Sequence, residues 1–246
     1  MAQFRDSIGT LSPTQQGIYV ACILLSAAIP SLASGHVSDR ISRKYGILTG
    51  AALTLVGTTI SAASPNLASL IVARIITGMG AGQAIAVTTV YLVEIAPLES
   101  RGVSACLLQS YIVIGIAAGY FIAYGAHSLR GSMAWRLPFI VQAGAALVLC
   151  IGMVFLPFSP RWLVQAGRSQ DAKRVLGKLR GPIRAEVELR EIESSLVLDL
   201  RQSSASFKEV FARRYLRRTL LGILLMSLQQ MTGVRITQTH LLFQIC

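Results

Sequence analysis

The sequence predicts an all-α membrane protein, a polytopic bundle of about six transmembrane helices with short cytoplasmic helices attached. Three observations predict it. Only 14% of the 246 residues are Asp, Glu, Lys or Arg, against about 25% in a soluble domain. Hydrophobic residues make up 53% and mean hydropathy is +0.58. Such a chain cannot cover a water-facing surface with polar groups, and disordered segments are never this apolar. Finally, charged residues are missing from long stretches: 11–39 (Asp39 itself excluded), 47–73, 75–93, 102–129 and 137–160. Crossing about 30 Å of hydrocarbon takes about 20 apolar residues in a helix. One such stretch could be a buried core helix, but five in series read as spans. Lipid requires each to be helical, because a helix satisfies its own backbone hydrogen bonds. A sixth stretch, 219–234, has 16 residues and spans only if the tail 241–246 contributes.

Charge placement orients these spans. Net charge is +12, from 23 basic and 11 acidic residues, which by itself suits nucleic acid or an anionic membrane face. The basic residues fall in alternate loops. Loop 35–46 carries Arg40, Arg43 and Lys44, loop 94–101 carries Arg101, and segment 161–218 carries fourteen Lys or Arg. The intervening loops hold none in 64–70 and Arg130 and Arg136 in 126–136. This is the positive-inside pattern, so the basic loops are predicted cytoplasmic and nucleic acid is not a predicted partner. The N-terminus is then outside, and residues 1–13 lack the basic region and apolar core of a cleavable signal. Cys22, Cys106, Cys150 and Cys246 sit in apolar segments without CxxC spacing and read as buried free thiols.

Segment 161–218 is the one region of soluble character. Ala172, Val175, Leu176 and Leu179 share a face of a predicted helix over 171–180, which Gly181-Pro182 breaks. In the next helix Ala185, Leu189, Ile192 and Leu196 share a face, and Arg184–Glu188 and Glu186–Arg190 are spaced to pair on its surface. Ser206 with Glu209 reads as a capping box opening a third helix. That helix carries Arg213, Arg214, Arg217 and Arg218, which suit lipid phosphates at the inner leaflet, into the sixth span.

Five motifs carry function. The hinge Gly35-His36-Val37-Ser38-Asp39-Arg40-Ile41-Ser42-Arg43-Lys44 places acid and base where they can lock two helix ends. Arg74 is followed by Gly78, Gly80 and Gly82 inside a span. Glu94, Pro97, Arg101 and Gly102 lie at that span's basic end. Pro157-Phe158-Ser159-Pro160-Arg161 follows the fifth span, and Gln229-Gln230-Met231-Thr232-Gly233 stands near the end. In this order the motifs resemble the sugar porter family of the major facilitator superfamily, its fungal hexose-transporter-like members most of all, over about residues 15–234.

The resemblance implies a partial N-terminal half of a major facilitator fold. Residues 1–160 match family helices 2 to 6, 161–218 are a cytoplasmic helical linker, and 219–246 are an incomplete seventh helix with a divergent tail. After Gly233 the family continues with asparagine and a tyrosine-rich run, whereas here Val234 leads to Arg235 and His240. Arg74 corresponds to a cavity-facing arginine that pairs, in proton-coupled members, with an acid on helix 1. Without that acid it is an unpaired intramembrane charge, costly unless it reaches water, and snorkelling to the outer interface is the competing reading. The glycines after Arg74, and Gly115 with Gly119, would let another helix approach closely.

Asp39, Arg40, Arg43, Arg74, Glu94, Arg101 and Arg161 are thus the candidate gating and charge-network residues. Gln109, Gln229 and Gln230 match sugar-binding residues, apt because a carboxamide both donates and accepts without charge. Gln142 serves equally well as an interhelical hydrogen-bond partner. Two positions depart from the family: Ser42 stands where glycine is usual, and Phe158 where glutamate is usual, which removes one acid beside Arg161.

The implied function is movement of a hexose-like monosaccharide, with a proton in the coupled members, by alternating access in a plasma membrane. Activity is expected to be impaired in this shortened chain. No enzyme activity, metal or cofactor is implied, the lipid bilayer is a partner, and the oligomeric state is open. The competing class is a non-transporting membrane sensor, or a fragment associating with intact transporters.

Overall fold

The computed structural model describes residues 12–129, 131–201 and 213–231, and all of its regular elements are helical. The chain divides into two units, residues 1–192 and 193–246. In the first, α1 (Pro13–Ile41), α2 (Arg43–Ala63), α3 (Leu67–Ile95), α4 (Arg101–Ala126) and α5 (Met133–Phe155) are each long and apolar enough to cross a membrane. The short helices α6 (Pro160–Gln165) and α7 (Ser169–Arg180) follow, and α8 (Pro182–Arg201) crosses the boundary between units. The second unit contains α9 (Arg213–Met231), whose apolar part, Thr219–Leu228, is shorter than a span. The sixth apolar stretch therefore forms a helix but not a membrane-length one among the described residues.

Local chemistry sets where the helices begin. Ser12 opens α1 with a reciprocal capping box: its hydroxyl accepts from the Gln15 amide at 3.3 Å, and its own amide donates to Gln15 Oε1 at 2.9 Å. Asn66 caps α3 through Ser69 N at 3.0 Å, and Ser159 caps α6, with Pro160 at its first position. The hinge 35–46 expected as a loop is instead helical almost throughout. Only Ser42, at φ 111 and ψ 147, separates α1 from α2. One residue suffices because its extended left-handed backbone redirects the chain at once, while Ser42 N still donates to Ser38 O at 3.0 Å and its carbonyl accepts from Gly46 N at 2.9 Å.

The core lies where α3 packs against α1 and α2, and α2 against α5. Without water to squeeze out, membrane helices gain by close approach, and the glycines of α3 supply it on two faces. A Cβ on Gly80 would stand 2.5 Å from Gly50 O on α2, and one on Gly82 would stand 2.3 Å from Ala27 O on α1. Ile47, Val87, Tyr91 and Met153 form a buried cluster toward the basic end. Gly115 and Gly119 differ: nothing lies within 4 Å of a Cβ at either. Among the described residues no helix approaches these glycines, and α4 buries almost none of its apolar surface. The thiols also differ from expectation, Cys106 being exposed and Cys22 and Cys150 half-buried; Cys246 lies outside the described residues.

Beyond the spans, Ala172 and Leu176 are buried as their spacing predicts, while Leu179 is exposed. The surface pairs change partner. Gly181, at φ 83, turns the chain, so Glu188 meets Arg180 at 2.5 Å and Glu186 meets Lys173 at 2.5 Å. The proposed capping box of Ser206 and Glu209 lies outside the described residues.

The Gly80 contact is directly testable. Gly80→Ala is expected to destabilise the bundle by about 1–3 kcal/mol, the usual range for overpacking. Gly119→Ala, which meets nothing, should leave it unchanged, as read by thermal unfolding of the purified protein in detergent.

Candidate inner gate at the basic end of the bundle

Arg43 opens α2 directly after the Ser42 break, which aims its guanidinium at the ends of both neighbours. Nη2 lies 2.7 Å from Asp39 Oδ1, one turn back on α1. Nε lies 3.1 Å from Glu94 Oε2 on α3 and donates to Oε1 at 3.2 Å, while Nη1 donates to Ser38 O at 3.4 Å. The Arg43 and Glu94 side chains are each 8% exposed, whereas Asp39 is 49% exposed. The Arg43–Glu94 pair is thus the buried member. Glu94 is further satisfied by Ser159, whose hydroxyl donates to Oε2 at 2.6 Å. Tyr91, one turn before Glu94, donates its hydroxyl to Pro157 O at 2.7 Å.

Three further donors tie helix ends together here. Trp162 Nε1 donates to Asp39 O at 3.0 Å, Lys44 Nζ to Val154 O at 2.8 Å and Leu156 O at 2.7 Å, and Arg180 Nη2 to Ile95 O at 2.6 Å. Glu188, paired with Arg180, has its carboxyl raised by burial; Arg180 and Arg101 pull it down, and Glu191 and Glu99 push it up. None of Tyr91, Ser159, Trp162, Arg180 and Glu188 is among the candidate gating or sugar-binding residues, although Glu188 is expected to pair with Arg184. The PFSPRW run and the broken helix pair were the signals available.

Of the expected network, Asp39, Arg43 and Glu94 are brought together. Arg40 is exposed in the last turn of α1, and Arg161 is exposed in the first turn of α6. Arg101 begins α4 half-buried and acts on Glu188, because α4 starts beyond the turn that separates it from Glu94. Phe158, in the place expected for an acid, stacks on Trp162.

Arg74 stands apart, toward the other end of α3. Its guanidinium carbon lies 4.6 Å from the Tyr19 ring centroid and 5.2 Å from that of Phe139. Two aromatic faces therefore accommodate the cation expected to stand unpaired, while its buried Nε has no hydrogen-bond partner among the described residues. Gln109 is exposed on α4, as Gln142 is on α5. Gln229 and Gln230 stand on α9, but their side chains lie outside the described residues. Gln83, which the sequence reading passed over, donates Nε2 to Gly46 O at 3.0 Å and to Thr49 Oγ1 at 2.8 Å, joining α3 to α2.

Long apolar helices meeting through glycines define an integral, multi-pass membrane protein, with ion pairs gathered at one end of its bundle. The chain belongs to the sugar (and other) transporter family, whose model matches residues 2–238, a wider span than the motifs delimit. It is similar to fungal and bacterial members alike. It is 30% identical over 233 residues to the high-affinity glucose transporter 1 of Candida albicans, covering 93% of this chain and 43% of that protein. It is 38% identical over 233 residues to the galactose-proton symporter of Escherichia coli, covering 94% and 48%. The chain thus spans about half the length of these relatives. Among solved structures, the partially occluded inward-open xylose transporter XylE from E. coli superposes with a TM-score of 0.76 at 24% identity, covering 96% of this chain and 59% of that one. That likeness shows the major facilitator fold.

Two substitutions test the gate geometry. Glu94→Gln removes the buried one of the two counter-charges of Arg43, leaving the half-exposed Asp39, and is expected to destabilise the fold by about 1–3 kcal/mol in thermal unfolding. Ser42→Gly should act oppositely. A left-handed extended backbone costs a non-glycine residue about 1–3 kcal/mol, more than the 3.3 Å bond from Lys44 N to the Ser42 hydroxyl returns. A higher melting temperature is expected.

Proposed function

We propose that this chain works in transmembrane movement of a hexose-like sugar by alternating access, its basic end facing the cytoplasm across a plasma membrane. The observation that carries this reading is the buried Arg43–Glu94 pair, joining the ends of α1, α2 and α3. A gate must be stable when closed yet able to open. A buried ion pair suits that, because its attraction is offset by a desolvation cost that water repays when the helices part. Family membership supports a transporter, and the names of the relatives, a glucose transporter and a galactose-proton symporter, support a monosaccharide moved with a proton.

In this reading residues 1–160 form spans, 161–218 a cytoplasmic linker and 219–246 part of a further helix. Gln109, Gln229 and Gln230 bind sugar hydroxyls. Arg40, Arg101 and Arg161 complete the charged inner surface, and Arg74 lines the pathway. A second reading, association with intact transporters, is favoured by the exposed face of α4 at Gly115 and Gly119.

Labelled-glucose entry into cells lacking hexose uptake tests both. The substrate site of such transporters lies between two halves, so this chain expressed by itself is expected to give little uptake, and robust saturable uptake would overturn that. Co-production of a related C-terminal half should produce uptake, which Gln109→Ala should reduce about tenfold, the worth of roughly one hydrogen bond. No sugar entry in either setting sinks the transport reading. Co-purification with an intact porter then supports association.

A further inference from the structure

Segment 157–162 does more than connect α5 to α6. The Phe158 ring stacks on Trp162 with centroids 5.7 Å apart and planes at 23°. Tyr45, from the first turn of α2, meets the same ring edge-on at 5.7 Å and 63°. The Lys44 ammonium lies 5.1 Å from its centroid while donating to Val154 O and Leu156 O. Trp162 in turn donates to Asp39 O at the end of α1. One aromatic ring therefore touches residues of both α2 and α6, and its neighbours reach the ends of α1 and α5.

We infer that Phe158 is a positioning residue of the inner gate, clasping the α1–α2 hinge to α6 through aromatic stacking and a cation–π contact instead of through an ion pair. The inference rests on the gate reading above. Its link to the charged centre is one residue long: Ser159, next to Phe158, gives its hydroxyl to Glu94. Withdrawing the ring from between Trp162 and Tyr45 displaces Ser159, and with it one of the two groups that hold Glu94 in place. The chemistry also differs from that of an acid. A ring face attracts Lys44 through its quadrupole and carries no titratable proton, and its stack with Trp162 is not screened by salt. A carboxylate at this half-buried position would lose part of its pull on Lys44 as ionic strength rises.

Hinge opening can be read without sugar, by tryptic cleavage after Arg43 and Lys44 in the purified full chain, with helical content followed by circular dichroism. Phe158→Leu is expected to speed cleavage at least about tenfold, the loss of two aromatic pairs and one cation–π contact from the opening equilibrium. Phe158→Tyr, which keeps the ring, should stay within about twofold of the parent. Phe158→Glu should make cleavage more salt-dependent than in the parent, where only the half-exposed Asp39–Arg43 pair is screened. Trp162→Leu removes the same stack from the other side together with the indole bond to Asp39 O and should also speed cleavage, so this arm decides if one variant misfolds. Unchanged cleavage in the folded leucine variants, failure of Tyr to rescue, or a parent as salt-sensitive as Phe158→Glu would overturn the clasp. Loss of sugar uptake with the hinge protection intact would count against the transport reading and leave the clasp standing.

Discussion

Each helix ends in carbonyl groups that its own backbone cannot satisfy, and at a membrane boundary this constraint bears on every span. Four of the five described spans meet it with a donor from another element. Asp39 O receives the Trp162 indole, Ser64 O the Arg136 guanidinium, Ile95 O the Arg180 guanidinium, and Val154 O with Leu156 O the Lys44 ammonium. Three of these donors are cations placed at the negative end of a helix dipole, where charge is favoured. Satisfying a helix end in this way also fastens two elements together. Backbone chemistry and tertiary assembly are thus the same set of bonds.

This explains why the ion-paired cluster lies where it does. Ser42 must redirect the chain within one residue, so Arg43 and Lys44 emerge beside the ends of α1, α3 and α5 simultaneously. Arg43 turns to acids on α1 and α3, and Lys44 to carbonyls of α5 and the face of Phe158. Two adjacent basic residues therefore take two kinds of partner, one ionic and buried, one dipolar and aromatic. Both sets join the same helix ends, so the ends cannot part while either set holds.

Much of this was legible in the sequence. The five charge-free stretches became the five membrane-length helices, and Gly78, Gly80 and Gly82 mark where α1 and α2 approach α3. Asp39, Arg43 and Glu94 converge because charges at helix ends have few places to go. What stayed hidden depended on backbone direction and packing. The hinge reads as a loop by its charges, yet it is helix broken at one residue. Glu188 reads as a partner for Arg184 by spacing, yet the turn at Gly181 presents Arg180. Gly115 and Gly119 read as a packing face, but spacing gives no indication of whether a neighbour is there. Arg74 illustrates the same limit, since charge arithmetic counts carboxylates and passes over the Tyr19 and Phe139 rings.

The contrast between Arg43 and Arg74 shows how one residue type can serve two ends of one bundle. At the basic end carboxylates are close, and Arg43 is held by Asp39 and Glu94. Within the span Arg74 has ring faces instead, and its Nε remains without a hydrogen bond among the described residues. A cation held by quadrupoles keeps its charge and its place, but a buried donor is left over that a polar solute can satisfy. A donor of that kind, inside an apolar span, is costly in an idle structure. The same residue type is thus matched by carboxylates at one end of the bundle and by ring faces within a span.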